Sequence, residues 1–164
     1  MSWANAILPE FDAEMATTRK LLERVPADRL AWKPHAKSRS LGELATHVTE
    51  LPRWGMRIQN GTTFQIGSEK APPMTNAGEY LARFDSNVAG SRVAIAGETD
   101  ARMGEEFRVL KPDGSPFFAV SRRDAIRRVL LNHVIHHRAQ LGVYLRLLDV
   151  PVPIVYGPTA DENV

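Results

Sequence analysis

"LNHVIHHRAQLGVYL", residues 131–145, carries three of the chain's five histidines in a run that otherwise reads as a buried helix. These are His133, His136 and His137. Around them Ile126, Leu130, Leu141, Tyr144 and Leu148 recur at three- and four-residue spacing, and His133 and His137 fall on that same apolar stripe. Four residues apart, these two imidazoles point roughly 40° from one another and stack on one face of the helix. Such a pair can share one metal ion. The glutamate of an HExxH zinc helix is absent, because Val134 follows His133. His136 lies roughly 60° from His133, at the edge of the stripe. It reads as a surface, supporting or interface residue.

Three more helices precede this one. The first spans roughly 5–25, with Leu8, Phe11, Met15, Thr18, Leu22 and Val25 as its apolar face, and ends at Pro26. Pro9 is tolerated there if it falls in the first turn. The loop "PADRLAWKPHAKSRS" follows; it holds Trp32, expected to tuck under the edge of the bundle, and His35, read as a surface histidine. The second helix opens on "SLGE", where Ser40 and Glu43 make a capping box. Its face is Leu41, Leu44, Val48, Leu51, Trp54 and Ile58, and Pro52 predicts a kink one turn after His47. After a Gly/Pro-rich crossover at 60–75, the third helix covers roughly 76–96, with Asn76 and Glu79 as its cap pair. Leu81, Phe84, Val88 and Ile95 form its face. "KPDG" between two apolar runs predicts a small β-hairpin before the fourth helix, which starts at Ser121 and ends before Pro151. The architecture expected is an all-α four-helix bundle in a single domain over 1–164.

Composition narrows the function. At 43% hydrophobic and 24% charged, the chain has the balance of an ordinary globular domain. Cysteine is absent, which excludes disulfides, thiolate metal sites and a cysteine nucleophile, so any metal must use His, Asp, Glu or water. No apolar run approaches the roughly 20 residues that cross a bilayer, so no membrane partner is expected. "MSWANAILPEFDAEM" lacks the basic start of a secretory signal, and the expected location is the cytoplasm. The net charge is only +2, although the pI is about 9.1. Arg122-Arg123 and Arg127-Arg128 point in scattered directions on a helix, like a solvated helix start, and no nucleic-acid motif accompanies them.

His47 shares the second helix's stripe and can supply a third imidazole to His133 and His137. Three histidines leave positions open for water or substrate, the arrangement of a catalytic rather than a structural metal. The alternative is three core histidines, each satisfied by a carbonyl or carboxylate. Spacing alone leaves both readings open, because it does not say whether the second and fourth helices face each other. Gln140, roughly 20° from His133, and Tyr144 one turn on read as packing or supporting residues. Leu131, Val143 and Leu147 lie off the main stripe. They read as a dimer face or as packing on the third helix.

"SLGELATHVTEL", "LNHVIHHRAQLGVYLRLLDVPVP" and "IVYGPTADE" resemble the DinB/YfiT-like family of metal-dependent enzymes, and the likeness extends over nearly the whole chain. It implies a four-helix bundle, usually dimeric, with a divalent metal on His47, His133 and His137. Ala139 stands where the family commonly has glycine, a small change that favours helix. The resemblance implies a thiol S-transferase or a hydrolase acting on a small molecule through metal-bound water or thiol. The metal would be Zn²⁺, Ni²⁺ or Fe²⁺, joined in the first case by a low-molecular-weight thiol. The rival expectation is a non-catalytic dimer, a metal-binding or damage-response interaction module. For the "YGPTADE" tail the expectation is a lid over the metal or a contact with a partner subunit.

Overall fold

In the computed structural model, which describes residues 2–68 and 71–163, long helical segments pack beside a small three-stranded sheet. Helix α1 runs from Trp3 to Leu22, with the Ser2 hydroxyl capping the Asn5 amide. Because it starts at Trp3, Pro9 lies inside the helix rather than in its first turn, and one backbone rung is lost there. The expected stripe, Leu8 through Val25, is buried. Helix α2, Leu41–Glu50, opens on the full capping box: the Ser40 hydroxyl accepts from the Glu43 amide, and the Glu43 carboxylate accepts from the Ser40 amide. All six residues of its expected face, including those beyond Pro52, are buried.

Pro52 breaks the second helix as expected. A 3₁₀ turn, Leu51–Arg53, separates α2 from α3, Trp54–Asn60. The interrupted rung is filled from outside. The hydroxyl of Ser91, on helix α4 (Ala77–Ala96), donates to the Pro52 carbonyl and accepts from the Met56 amide at 3.1 Å. In an unbroken helix those two groups would bond each other. Such an insertion requires close approach, and Gly55 allows it: a Cβ there would stand 2.5 Å from the Cβ of Ser91. Gly55→Ala is therefore expected to destabilise the protein by about 1–3 kcal/mol despite alanine's better helix propensity. Urea unfolding reads this directly, and a stabilised variant would contradict the packing described.

Asn76 caps α4 with Glu79, as predicted. Its buried line is Tyr80, Phe84, Asn87, Ser91 and Ile95, while Leu81 and Val88 are only half-buried. The polar positions on that line belong there because they serve the backbone: Asn87 donates to the Thr49 carbonyl, and Ser91 repairs the Pro52 break.

The short helix α5 (Asp100–Met103) leads into the hairpin, β2 (Glu106–Leu110) and β3 (Pro116–Ser121). Its turn uses Gly114 at φ +82°, with Asp113 accepting from the Ser115 amide and hydroxyl. The all-α expectation needs correction. Strand β1, Thr63–Gln65, joins β2 in parallel, so the chain is mostly helical with a mixed sheet in the order β1-β2-β3. Three residues are too few to show an alternating pattern in sequence.

The last helical segment begins as α6, Arg122–Ala125, capped by Ser121. It passes through a π-helical turn, Ile126–Leu131, and continues as α7, Asn132–Leu147. Asp149, at φ 58°, ends it in the left-handed conformation. Arg122 was expected in solvent; it is buried, 1% exposed, and donates to the carbonyls of Ile58, Gln59 and Gly61 at the end of α3. A guanidinium there satisfies carbonyls that a helix leaves without partners. Leu131 is also buried, so it serves the core and not a dimer face. Helix α2 packs on both α4 and α7. No helix among the described residues is long and apolar enough to cross a membrane.

Candidate metal centre

The π turn decides which way α7 faces. A turn closed by i→i+5 bonds holds one residue more than an α turn, so everything after it is rotated from the extrapolated 3.6-residue pattern. The buried line runs from Leu131, at the end of the π turn, through Val134, Arg138, Leu141 and Leu145 of α7. His133 and His137 stand one position to the side, half-buried, and look across to α2. They do not occupy leucine positions, as the uninterrupted stripe predicted; they form the wall of a pocket.

His47, from the last turn of α2, meets them there. Ring centroids lie 4.4 Å apart for His47 and His137, 5.1 Å for His47 and His133, and 4.8 Å for His133 and His137. One nitrogen from each falls within 4.8 Å of the others. The Nε2 atoms of His47 and His133 are 3.3 Å apart. Two nitrogens bound tetrahedrally to a zinc-sized ion at about 2.0–2.1 Å would stand roughly 3.3–3.4 Å apart, so this pair fits such an ion. As a direct N–H···N bond, 3.3 Å is beyond the usual range.

The outer nitrogens are fixed by neighbours. His137 Nδ1 faces the Oε1 of Gln140 at 2.7 Å; an amide oxygen only accepts, so the ring proton sits on Nδ1 and the Nε2 lone pair is free. Gln140 in turn donates its Nε2 to His136 Nε2 at 3.2 Å, which sets the orientation of the amide. His136 is exposed and acts through Gln140. Backbone of Val129 engages the His133 ring. Tyr144 does not reach the cluster. It donates to the Arg39 carbonyl at 3.2 Å and packs edge-on against Trp32, so it anchors the loop that carries Arg39. His35 is exposed and accepts from the Lys37 amide, apart from the cluster.

Burial holds all three cluster imidazoles below the ordinary histidine pKa of 6.5. His47 falls to about 3, where the Arg39 charge and the other two rings add to burial. His133 falls to about 4, mainly through burial and then His137. His137 is lowered by burial against the opposing Gln140 bond. All three are thus neutral near pH 7, the form that ligates metal. Below about pH 6.5 the unfolded chain takes up protons that folded His47 and His133 refuse, so the metal-free protein should lose stability as pH falls from 6.5 through 4 towards 3. Above 6.5 this contribution is complete and flat. Urea midpoints measured across that range should show the decline, and it should be shallower in His47→Gln. An equal slope in the variant would rule this origin out.

The cluster opens on a cavity of about 1070 Å³. Its walls include Trp54 from α3, Phe64 from β1, Phe117 and Phe118 from β3, and the guanidinium groups of Arg39, Arg53, Arg57 and Arg128. Sequence reasoning missed Arg39, whose charge bears on all three histidines, because an isolated loop arginine carries no periodicity. It also missed Arg138, whose neighbours in "HHRAQ" drew the attention. Arg138 is 2% exposed and pairs with Glu14 of α1 at 2.7 Å. The signal was available: Glu14 and Arg138 are opposite charges, each on an otherwise apolar helix line.

The tail does not cover the histidine cluster. The Tyr156 hydroxyl meets Arg138 at 2.6 Å and Glu14 at 2.9 Å, Asp161 binds the Val152 amide, and Glu162 pairs with Arg24. None of the described tail residues lines the histidine pocket.

The DinB family profile matches residues 1–163. The uncharacterized protein YrdA of Bacillus subtilis (strain 168) is 28% identical over 159 residues, 93% of this chain and 86% of its own. A crystal structure of a DinB-like protein from Bacillus cereus ATCC 10987 superposes with a TM-score of 0.73 at 20% identity, covering 93% of this chain and 97% of that one. The DinB-like protein YjoA from Bacillus subtilis gives 0.69 at 18% identity, covering 92% and 97%. At these identities the two structures speak for the fold.

Proposed function

The chain belongs to the DinB family, and from that premise we propose that it is a divalent-metal-dependent enzyme acting on a small molecule, of the thiol S-transferase or hydrolase type. One observation carries this: three imidazoles converge at the wall of an open, substrate-sized cavity. His47, His133 and His137 are the ligands in this reading. A divalent transition ion held there supplies Lewis acidity, which acidifies a coordinated water or thiol. Gln140 keeps the His137 proton on Nδ1, and α2 and α7 hold the ligands at fixed separation. The aromatic and apolar wall excludes water from one side of the site. The long helical segments are read as the four-helix bundle of the family. The chain's lack of cysteine means that a thiol, if one is used, comes from a separate low-molecular-weight cofactor.

A second reading, a non-catalytic dimer that binds metal, draws on the apolar residues Val143 and Leu147 of α7, both more than half exposed. The open cavity beside the histidines favours the first, since a purely structural ion is closed off by four protein ligands. The test is metal analysis of tag-free protein as purified and after reconstitution with Zn²⁺, Ni²⁺ or Fe²⁺. About one equivalent of one of these is expected. Less than roughly a tenth of an equivalent with every ion would remove the basis of the proposal.

A further inference from the structure

Among the described residues, the two carboxylates that line the cavity beside the histidines are already engaged. Glu43 is committed to the Ser40 amide and Lys33, and Glu50 to Arg83 at 2.7 Å and Arg53 at 3.2 Å. Arg39 and Arg128 also line the cavity, and among the described residues neither is in an ion pair. Arg128 is exposed and lies over the face of Phe118, 5.3 Å from the ring centroid. A guanidinium held over an aromatic ring still has N–H groups to offer a planar acceptor.

The same wall is apolar at its mouth. Phe117 is 57% exposed and Ile66 38%, and both line this cavity. Large side chains left open beside a pocket are a mark of ligand contact. Phe117 and Phe118 sit with centroids 5.2 Å apart, so the apolar surface is continuous with the arginine stack.

We propose that this cavity takes a carboxylate with a flat apolar body, the acid group on Arg128 and the body against Phe117 and Phe118. This rests on reading the cavity as the substrate site, and it names the substrate class. Carboxylate and guanidinium match as two parallel N–H···O bonds, whereas a neutral amide of the same shape offers only one acceptor oxygen and no charge. Arg39, beside the histidines, adds attraction for the same sign.

The test uses 2-naphthoate and 2-naphthamide with the full chain kept metal-free by chelator, followed by calorimetric titration. Without an ion present, any preference for the acid belongs to the protein's own residues. Naphthoate is expected to bind about tenfold more tightly than the amide. Arg128→Gln should abolish most of that preference, Arg39→Gln part of it, and Arg123→Gln, exposed and outside the cavity, none. Thermal melts check that each variant is folded. Equal binding of acid and amide, no binding of either, or a preference that survives both Arg128→Gln and Arg39→Gln would each overturn the proposal. Metal content is measured separately, so failure of the metal reading with retained acid preference, or the reverse, is recognised as such.

Discussion

His137→Ala is expected to lower affinity for a divalent ion by more than about a hundredfold. Three ligands leave no redundancy: the remaining pair, His47 and His133, offers an ion only two imidazoles. Gln140→Leu should fall between this variant and the wild type, at about ten- to a hundredfold weaker, because it frees the His137 proton to move to the ligating nitrogen. His35→Ala, remote from the cluster, should change nothing. Competition against a chromophoric chelator measures all three on one scale. If His137→Ala kept wild-type affinity, the ligand assignment would be wrong even with metal present.

The second large effect is on stability. Arg138→Ala is expected to destabilise the protein by about 3–5 kcal/mol, on the order of 10 °C in Tm for a chain of this size. Arg138 Nη1 contacts the Glu14 carboxylate at 2.7 Å, the Glu14 carbonyl at 3.1 Å and the Thr18 hydroxyl at 3.3 Å. Removing it strands a carboxylate whose side chain is only 11% exposed, left with the Tyr156 hydroxyl as a side-chain partner. Burial and the Glu14 bond push the Tyr156 pKa up, so that hydroxyl stays a donor but supplies no charge. Replacing both partners, Glu14→Leu with Arg138→Met, should recover most of the loss, since two apolar groups leave no unpaired ion. Arg138→Lys should not, because an ammonium lacks the fork that reaches Glu14, Thr18 and Tyr156 together. Calorimetry on the set decides it. A single variant within about 1 kcal/mol of wild type would show that the pair matters little.

Much of the helical layout was legible because it rests on local chemistry. The Ser40–Glu43 box, the Asn76–Glu79 cap, the Pro52 break and the "KPDG" turn each follow from a few adjacent residues. The three histidines were legible as a set because they stood on apolar stripes. Features depending on distant segments were not. Strand β1 exists through pairing with residues more than 40 positions away, at Arg108–Leu110. Ser91 and Asn87 of α4 carry no local signal, because the backbone groups they serve lie on α2 and at the Pro52 break. The buried Arg122 looked like a surface charge and Arg138 went unread, because no sequence window contains both a guanidinium and its partners.

The π turn has one more implication. A single π-type insertion offsets the helix after it by about one residue, roughly 100° about the axis. The azimuth of His133 and His137 is consequently set upstream, by six residues that contain no histidine themselves, Ile126–Leu131. The histidine helix is the barrel and this segment is the swivel mount. In a straight α-helix grown from Ser121, the same two imidazoles would share the azimuth of Ile126 and Leu130 and point into the apolar core, off the pocket wall, with their four-residue spacing intact.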